Sequence, residues 1–199
     1  MVSHQRLGMS KKNKNGMANP ARIAPFDKEV LHVVIETPKN SRNKFKYEPG
    51  LGIFTLSRVL PEGMVFPYDF GFIPSTKAED GDPVDVLLLM DEPVFPGCVV
   101  PSRLIGVLEA EQTEQDGQKE RNDRLVAVSM VSREHDNVKT IADLNKKMLK
   151  EIEQFFVNYN RESGKQYKPL GEKGPKPAMK LIQRSLLKNG KNNARKNGC

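Results

Sequence analysis

At 199 residues the chain is long enough for one domain with a sizeable core. Its formal net charge of +7 is unevenly spread, because residues 23–172 hold all 25 acids against 19 basic side chains, while segments 1–22 and 173–199 are basic and contain no acid. An acidic body favours a cation site over a nucleic-acid-binding surface. No apolar run approaches the roughly 20 residues of a membrane helix.

Only two cysteines are present, Cys98 and Cys199, which excludes a disulfide framework and indicates a reducing compartment. The sequence begins with a polar, basic stretch that lacks an apolar signal core. We therefore expect a cytoplasmic protein.

The first predicted element is a disordered basic arm over residues 1–22. Val30–Ile35 is rich in β-branched residues and predicts a strand that carries Glu36 at its end. Lys44–Glu48 and Gly52–Val59 predict a hairpin around a Pro-Gly turn.

The middle of the chain predicts further strands. The aromatic stretch Phe66–Phe72 predicts a core wall, and the apolar run Val86–Met90 predicts a buried strand. Later strands are predicted at Val94–Pro101, Leu104–Leu108 and Leu125–Val128.

Two helices are predicted towards the C-terminus. A long helix is expected to begin at Thr140, because apolar residues recur there at three- and four-residue spacing up to Tyr159. Ala178–Lys188 predicts a second, short amphipathic helix.

A tight acidic loop precedes the buried strand and contains Asp80, Asp82 and Asp85, with Gly81 and Pro83 marking its turn. Carboxylates this close repel one another unless a cation lies between them. Mg²⁺ prefers oxygen ligands and retains several waters, and Mn²⁺ or Zn²⁺ also accept carboxylates. For such a pattern taken alone, a solvated acidic turn is the alternative.

Six segments, one of which is the acidic loop, together resemble a known family. They are Val33–Pro38, Lys46–Glu48, Leu56–Arg58, Phe66–Pro74, the acidic loop and Phe155–Tyr159. In this order and approximate spacing, the chain resembles the family I soluble inorganic pyrophosphatases from Ile23 to Tyr167. The resemblance implies an α+β fold, a single domain with a five-stranded OB-like β-barrel flanked by helices.

The resemblance also implies hydrolysis of pyrophosphate to two phosphates with Mg²⁺ as cofactor. It places the catalytic domain at residues 23–172 and leaves 173–199 as a C-terminal helix and basic tail. A homo-oligomer is expected because the family forms dimers or hexamers. No nucleic acid or membrane partner is expected.

The roles that the resemblance implies fall into three groups. Asp80 and Asp85 would bind metal directly with Asp123 as a third ligand, and Asp82, at the same metal site, would act as the general base or orient the water. Glu36 and Glu48 would lie in the outer metal shell. The residues expected to hold the phosphates are Lys46, Arg58, Arg124, Tyr159 and Lys165.

The sequence departs from the family at several of these positions. Phe66 and Phe70 stand where active-site tyrosines are usual, and Asn160 replaces a lysine. The loop at 109–124 is longer than in the common bacterial form and has Asn122 where a metal-ligating Asp belongs. The acids that would compensate are Asp123 nearby and Glu111, Glu114 or Asp116 upstream.

Two alternative functions follow from these observations. The departures suggest a pyrophosphatase-like protein with weakened activity or with a different small diphosphate as its substrate. The basic tails suggest a nucleic-acid-binding OB-like module, which would need exposed aromatic side chains along a basic groove.

Overall fold

The computed structural model describes residues 19–78 and 81–196, with side chains up to residue 186. The strands in chain order are β1 (Phe26–Asp27), β2 (Val30–Thr37), β3 (Asn43–Glu48), β4 (Ile53–Val59), β5 (Asp69–Ile73), β6 (Val84–Leu89), β7 (Val99–Thr113), β8 (Lys119–Arg121), β9 (Arg124–Ser129) and β10 (Gln166–Lys173). The helices are α1 (Lys146–Arg161) and α2 (Pro175–Lys196), with single 3₁₀ turns at Pro20–Arg22 and Ile141–Asp143.

A closed ring of five strands forms the centre of the fold, in the order β2, β5, β6, β9, β7 and back to β2. The β6–β9 pair is parallel and the other pairs of the ring are antiparallel. Strand β1 pairs with β2, strands β8 and β10 pair with β7, and β3 and β4 form a separate hairpin. The expected α+β fold with a five-stranded OB-like barrel is confirmed.

From Val86 to Leu89 strand β6 is buried on both faces, which explains the continuous apolar sequence there. Leu87 and Leu89 pack in the same cluster as Phe156 of α1. Val86 and Leu88 point the other way and pack in the cluster that contains Ile182 of α2. Each such side chain contributes roughly 1.5–3 kcal/mol, so β6 is fixed firmly beneath the acidic loop at its start.

The segment after β6 forms one long strand, whereas two were expected at Val94–Pro101 and Leu104–Leu108. Strand β7 remains continuous although it contains Pro101 and a register shift between Leu104 and Gly106. At Gly106 a Cβ would lie 2.5 Å from the carbonyl oxygen of Lys173, so only glycine fits there.

The C-terminal elements also differ from expectation. Helix α1 begins at Lys146 rather than near Thr140, because Asn145 caps it by accepting a hydrogen bond from the backbone N–H of Lys147 at 2.8 Å. Strand β10 was not among the predicted strands, and its sequence contains Pro169 and Gly171, which disfavour strands. Helix α2 is longer at both ends than the predicted Ala178–Lys188.

The last residues of the predicted N-terminal arm are ordered. Asn19 Oδ1 accepts hydrogen bonds from the Tyr47 hydroxyl at 2.8 Å and from the backbone N–H of Ala21 at 2.9 Å. The rest of that arm, 1–18, and the end of the basic tail, 197–199, lie outside the described residues. Within the described range no helix is long and apolar enough to span a membrane.

Candidate active site

A polar pocket of about 380 Å³ opens between the β3–β4 hairpin, the start of β6, the β7–β8 hairpin and the end of α1. Its charged lining residues are Glu36, Lys44, Lys46, Arg58, Asp82, Asp85, Glu120, Arg124 and Lys165. The pocket therefore brings together side chains that are distant in sequence, including most of the residues singled out above.

The acidic loop reaches the pocket through a tight turn. Gly81 has a φ of 95°, a left-handed conformation that favours glycine. The backbone N–H of Ala78 donates to the carbonyl oxygen of Asp82 at 2.7 Å, which closes the loop. Asp82 and Asp85 line the pocket, and Asp80 lies outside the described residues.

Asp82 and Asp85 each have a basic partner. Lys46 Nζ lies 3.1 Å from Asp82 Oδ2, and this hydrogen bond raises the pKa of the Lys46 ammonium. Arg124 Nη1 lies 2.6 Å from Asp85 Oδ2. The first pair is about half exposed and the second is largely buried.

Glu36 forms a third ion pair at the inner end of the pocket. Its Oε2 lies 3.1 Å from Lys44 Nζ, and its Oε1 accepts the backbone N–H of Tyr47 at 2.8 Å. Burial raises the pKa of Glu36, and Lys44 partly opposes this effect. Glu36 is thus fixed by hydrogen bonds within the barrel wall.

Lys44 lines the pocket but was not predicted as a site residue; of the two lysines on β3, only Lys46 was expected there. Both residues line the pocket because they are two apart on strand β3 and share a face. Strand alternation places Lys44 on the same face as Lys46, so the sequence pattern could have identified it. Glu48 is not among the lining residues, although its charge helps to raise the pKa of Lys46.

The opposite wall carries the expected phosphate-binding residues. The Arg58 guanidinium lies 5.1 Å from the Tyr159 ring centre and donates to the Ser163 hydroxyl. Lys165 Nζ lies 2.8 Å from Glu114 Oε1, and this contact lowers the pKa of Glu114. Arg58, Tyr159 and Lys165 thus lie in one pocket, as expected.

The loop at 109–124 presents different residues from those predicted. Gln112, Glu120 and Asn122 line the pocket. The Asn122 amide nitrogen donates to Gln112 Oε1 at 2.5 Å, and the Gln112 amide donates to Glu120 Oε1 at 3.2 Å. Two neutral amides and Glu120 therefore line the same pocket as Asp82 and Asp85 of the acidic loop.

Asp123 is placed away from this pocket, which corrects its expected position. Its Oδ1 accepts the backbone N–H of Ala110 at 3.0 Å and lies 2.8 Å from Arg121 Nη2. Both residues lie in the two-residue link between β8 and β9, and of the two only Asn122 lines this pocket. Of the upstream acids, Glu111 pairs with Lys119, and Asp116 caps the hairpin tip by accepting the Gln118 N–H.

Phe66 and Phe70 form an apolar floor beneath two of the cations. The Lys44 ammonium lies 4.4 Å from the Phe70 ring centre, and the Arg124 guanidinium lies 5.7 Å from it. Cations over aromatic faces are favourable at these distances. Asn160 also lines the pocket, but its amide donates to the Phe156 carbonyl of its own helix, so it adds no charge.

The oxygen donors of the pocket suit a hard divalent cation at the edge formed by Asp82 and Asp85. Across the pocket, however, Gln112 and Asn122 offer only neutral oxygens. Within the described residues no three acidic, histidine or cysteine side chains cluster closely enough to form a metal site, and Asp80 is not among them.

A second cavity of about 530 Å³ lies between α2 and the barrel. Asp123 and Arg121 line it, together with Lys180 and Arg184 of α2. It shares a wall with the first pocket, formed by residues that line both: Pro83, Asp85, Asn122 and Arg124.

Comparison with known proteins gives one consistent family. The family model described as inorganic pyrophosphatase matches residues 33–189. An inorganic pyrophosphatase of Thermus thermophilus is 37% identical over 177 residues, which are 86% of this chain and 98% of that protein. One of Synechocystis is 38% identical over 154 residues, covering 77% and 88% of the two chains.

Solved structures agree. The crystal structure of the Thermus thermophilus inorganic pyrophosphatase matches with a TM-score of 0.79 and 36% identity, over 87% of this chain and 99% of that one. The inorganic pyrophosphatase of Helicobacter pylori matches with a TM-score of 0.75 and 34% identity, over 82% and 95%.

Proposed function

The chain belongs to the inorganic pyrophosphatase family, and we propose that its Asp82 pocket hydrolyses inorganic pyrophosphate to two phosphates, with Mg²⁺ as the metal. The strongest support for this function is the set of charged side chains in the pocket. Asp82 and Asp85 share a single pocket with Lys44, Lys46, Arg58 and Arg124. Acids that suit a cation and bases that suit phosphates are both needed for this reaction.

Substrate binding is assigned to the basic side chains. Pyrophosphate is a small, highly charged anion, and guanidinium and ammonium groups neutralise phosphoryl oxygens by charge-assisted hydrogen bonds. Arg58 and Arg124 enter from opposite walls, and Lys44 is added to the expected set because it lies deep in the pocket. Tyr159 supports Arg58 through its ring, and Lys165 is held at the rim by Glu114.

Asp82 is assigned the role of general base or water-orienting group. Its carboxylate is about half exposed at the mouth of the pocket, where a nucleophilic water has access. Asp82 and Asp85 are the described residues that would hold Mg²⁺, and Asp80 is expected to join them. When bound, the cation would supply a water of lowered pKa and neutralise phosphate charge.

Asp123 is not retained as a metal ligand, nor Glu48 in the outer metal shell, because neither lines the pocket. Glu36 keeps a supporting role, since its pairing with Lys44 fixes the position of that ammonium. The expected compartment is the cytoplasm and the expected assembly a homo-oligomer. Light scattering of the purified protein tests the second expectation.

A second candidate is a family member with weakened activity or a different small diphosphate as its substrate. The facing amides Gln112 and Asn122 favour it, because they reduce the negative charge available for metals. Burial of Phe66, Phe70 and Phe72 weighs against the nucleic-acid-binding alternative, because these rings offer no surface on which bases could stack.

The test is phosphate release from pyrophosphate, measured with Mg²⁺, Mn²⁺ or Zn²⁺ and with a chelator. We expect Mg²⁺-dependent release that Asp82→Asn reduces by about 10²- to 10⁴-fold. Asp116→Asn, at the β7–β8 hairpin tip, is the matched control and should retain full activity. Folded wild-type protein that releases no phosphate with any of these metals would refute the proposal.

A further inference from the structure

The proposed reaction makes no use of the cavity of about 530 Å³ beneath α2. Its volume lies within the range of roughly 300–1,000 Å³ that is typical of sites for small organic molecules. Aliphatic side chains form part of its wall, namely those of Ala78, Val84, Val107 and Leu181, and Val107 is fully buried. None of the described lining residues is aromatic, so the cavity suits an aliphatic group better than a stacked ring.

Two basic side chains of α2 line this cavity. Lys180 and Arg184 are four residues apart, so they project from the same face of the helix on successive turns. Both are exposed, and neither side chain forms an ion pair or a hydrogen bond with any described residue. Like charges at this spacing destabilise a helix, and an anion bound between them would offset the repulsion.

The cavity is net positive when all of its described charged residues are counted. Four are basic and three are acidic: Arg121, Arg124, Lys180 and Arg184 against Asp85, Glu109 and Asp123. Glu109 and Asp123 both contact Arg121, at 3.2 Å and 2.8 Å, rather than the two bases of α2. Asp85 belongs to the wall shared with the active-site pocket, and a metal ion bound there would add positive charge. The cavity therefore favours an anion with or without the metal.

We propose that the cavity beneath α2 binds a small organic carboxylate with an aliphatic chain. The chain lies against Val84, Val107 and Leu181, and the carboxylate accepts hydrogen bonds from Lys180 and Arg184. A guanidinium can bind a carboxylate through two parallel hydrogen bonds, and the neighbouring ammonium adds another charge-assisted one. This ligand site is separate from the active site, and the inference does not depend on the proposed hydrolysis.

The test is isothermal titration calorimetry of the full chain with octanoate as the probe. We expect saturable binding at one site. Octanol, which has the same chain without the charge, should bind at least about tenfold more weakly, because it makes no charged hydrogen bond. Butanoate, which keeps the charge, should also bind at least about tenfold more weakly, because it buries fewer methylene groups.

Variants locate the site on α2. Lys180→Met and Arg184→Met should each weaken octanoate binding by about tenfold, the effect of a lost charged hydrogen bond. Lys176→Met is the matched control, because Lys176 is an exposed lysine one turn earlier on the same helix and does not line the cavity. Arg58→Met removes a base from the active-site pocket instead. Both of these variants should bind octanoate as the wild type does.

Several outcomes would overturn the proposal. They are the absence of saturable binding, octanol or butanoate binding as tightly as octanoate, and a loss in Lys176→Met equal to that in Lys180→Met. Weaker binding by Arg58→Met would place octanoate in the active-site pocket and would overturn it as well. Lys180 and Arg184 are exposed, so their variants should fold, which circular dichroism checks.

Discussion

Arg124 Nη1 lies 2.6 Å from Asp85 Oδ2, in the wall that separates the active-site pocket from the cavity beneath α2. This pair places a guanidinium against a carboxylate that is also expected to bind Mg²⁺. The Mg²⁺ ion and the guanidinium therefore compete for the same carboxylate oxygens. A stronger ion pair lowers the affinity of the site for Mg²⁺.

Arg124→Met should tighten Mg²⁺ binding to the substrate-free protein. Removing the guanidinium leaves Asp85 with an uncompensated charge, so we expect the dissociation constant for Mg²⁺ to fall by about tenfold. Calorimetric titration with Mg²⁺ measures this directly. An unchanged or weaker Mg²⁺ affinity would show that Asp85 does not contribute to the metal site.

Asp123→Asn should leave turnover within about threefold of the wild type, because Asp123 accepts the Ala110 N–H and pairs with Arg121 outside the pocket. Asp85→Asn should reduce turnover far more. Phosphate-release assays of the two variants give the comparison. A large loss in Asp123→Asn would restore that residue to the metal site.

Lys44→Met should destabilise the fold by about 3 kcal/mol, because it leaves the buried Glu36 carboxylate without its cation. Lys119→Met breaks an ion pair of equal length that is largely exposed, and should cost at most about 1 kcal/mol. Urea unfolding at neutral pH compares the two. Equal losses would mean that Glu36 is better solvated than its position indicates.

Asp91 should make stability depend on pH. Its carboxylate accepts hydrogen bonds from the Ser132 hydroxyl at 2.5 Å and from the backbone N–H groups of Arg133 and Glu134, and these hold its pKa below the ordinary 3.8. The unfolded chain therefore takes up this proton at higher pH than the folded chain does. The stabilisation is complete above the unfolded pKa and is lost as the pH falls through the folded value.

We accordingly expect Asp91→Asn to be less stable than the wild type at pH 7 and the difference to shrink below about pH 4. Urea unfolding at a series of pH values follows the difference. Glu92→Gln, one residue further along the turn, is the control for the general effect of acid. A constant difference across the series would contradict the assignment.

The barrel was predicted from the family resemblance, and local sequence patterns predicted several of its strands. Val86–Leu89 is apolar throughout, and Val30–Thr37 is rich in β-branched residues, so burial and strand propensity agree. Strand β10 was not predictable by the same means: it contains Pro169 and Gly171 and is held as a strand only by its pairing with β7. Tertiary pairing outweighed local preference there.

Most described site residues within the family motifs were predicted correctly to line the pocket. In the 109–124 loop, which is longer than in the common bacterial form, Asp123 was not. Asp82, Asp85 and Arg58 reached the pocket as expected. After the longer β7–β8 hairpin, the backbone path between β8 and β9 decides whether Asn122 or Asp123 lines the pocket, and aligning the sequence to an expected acid does not reveal that path. The sequence favoured Asp123 for its charge, and the backbone turned Asn122 inward instead.

Insertions at the tip of the β7–β8 hairpin can change which side chains line the pocket. Glu120 stands opposite Gln112 in register, and the tip at 116–118 lies beyond the barrel. Inserting two residues at the tip would lengthen the hairpin and keep the same faces inward, whereas inserting one would exchange inward for outward side chains on the returning strand. Length variation at a surface turn can thus alter the pocket's chemistry without any substitution within it.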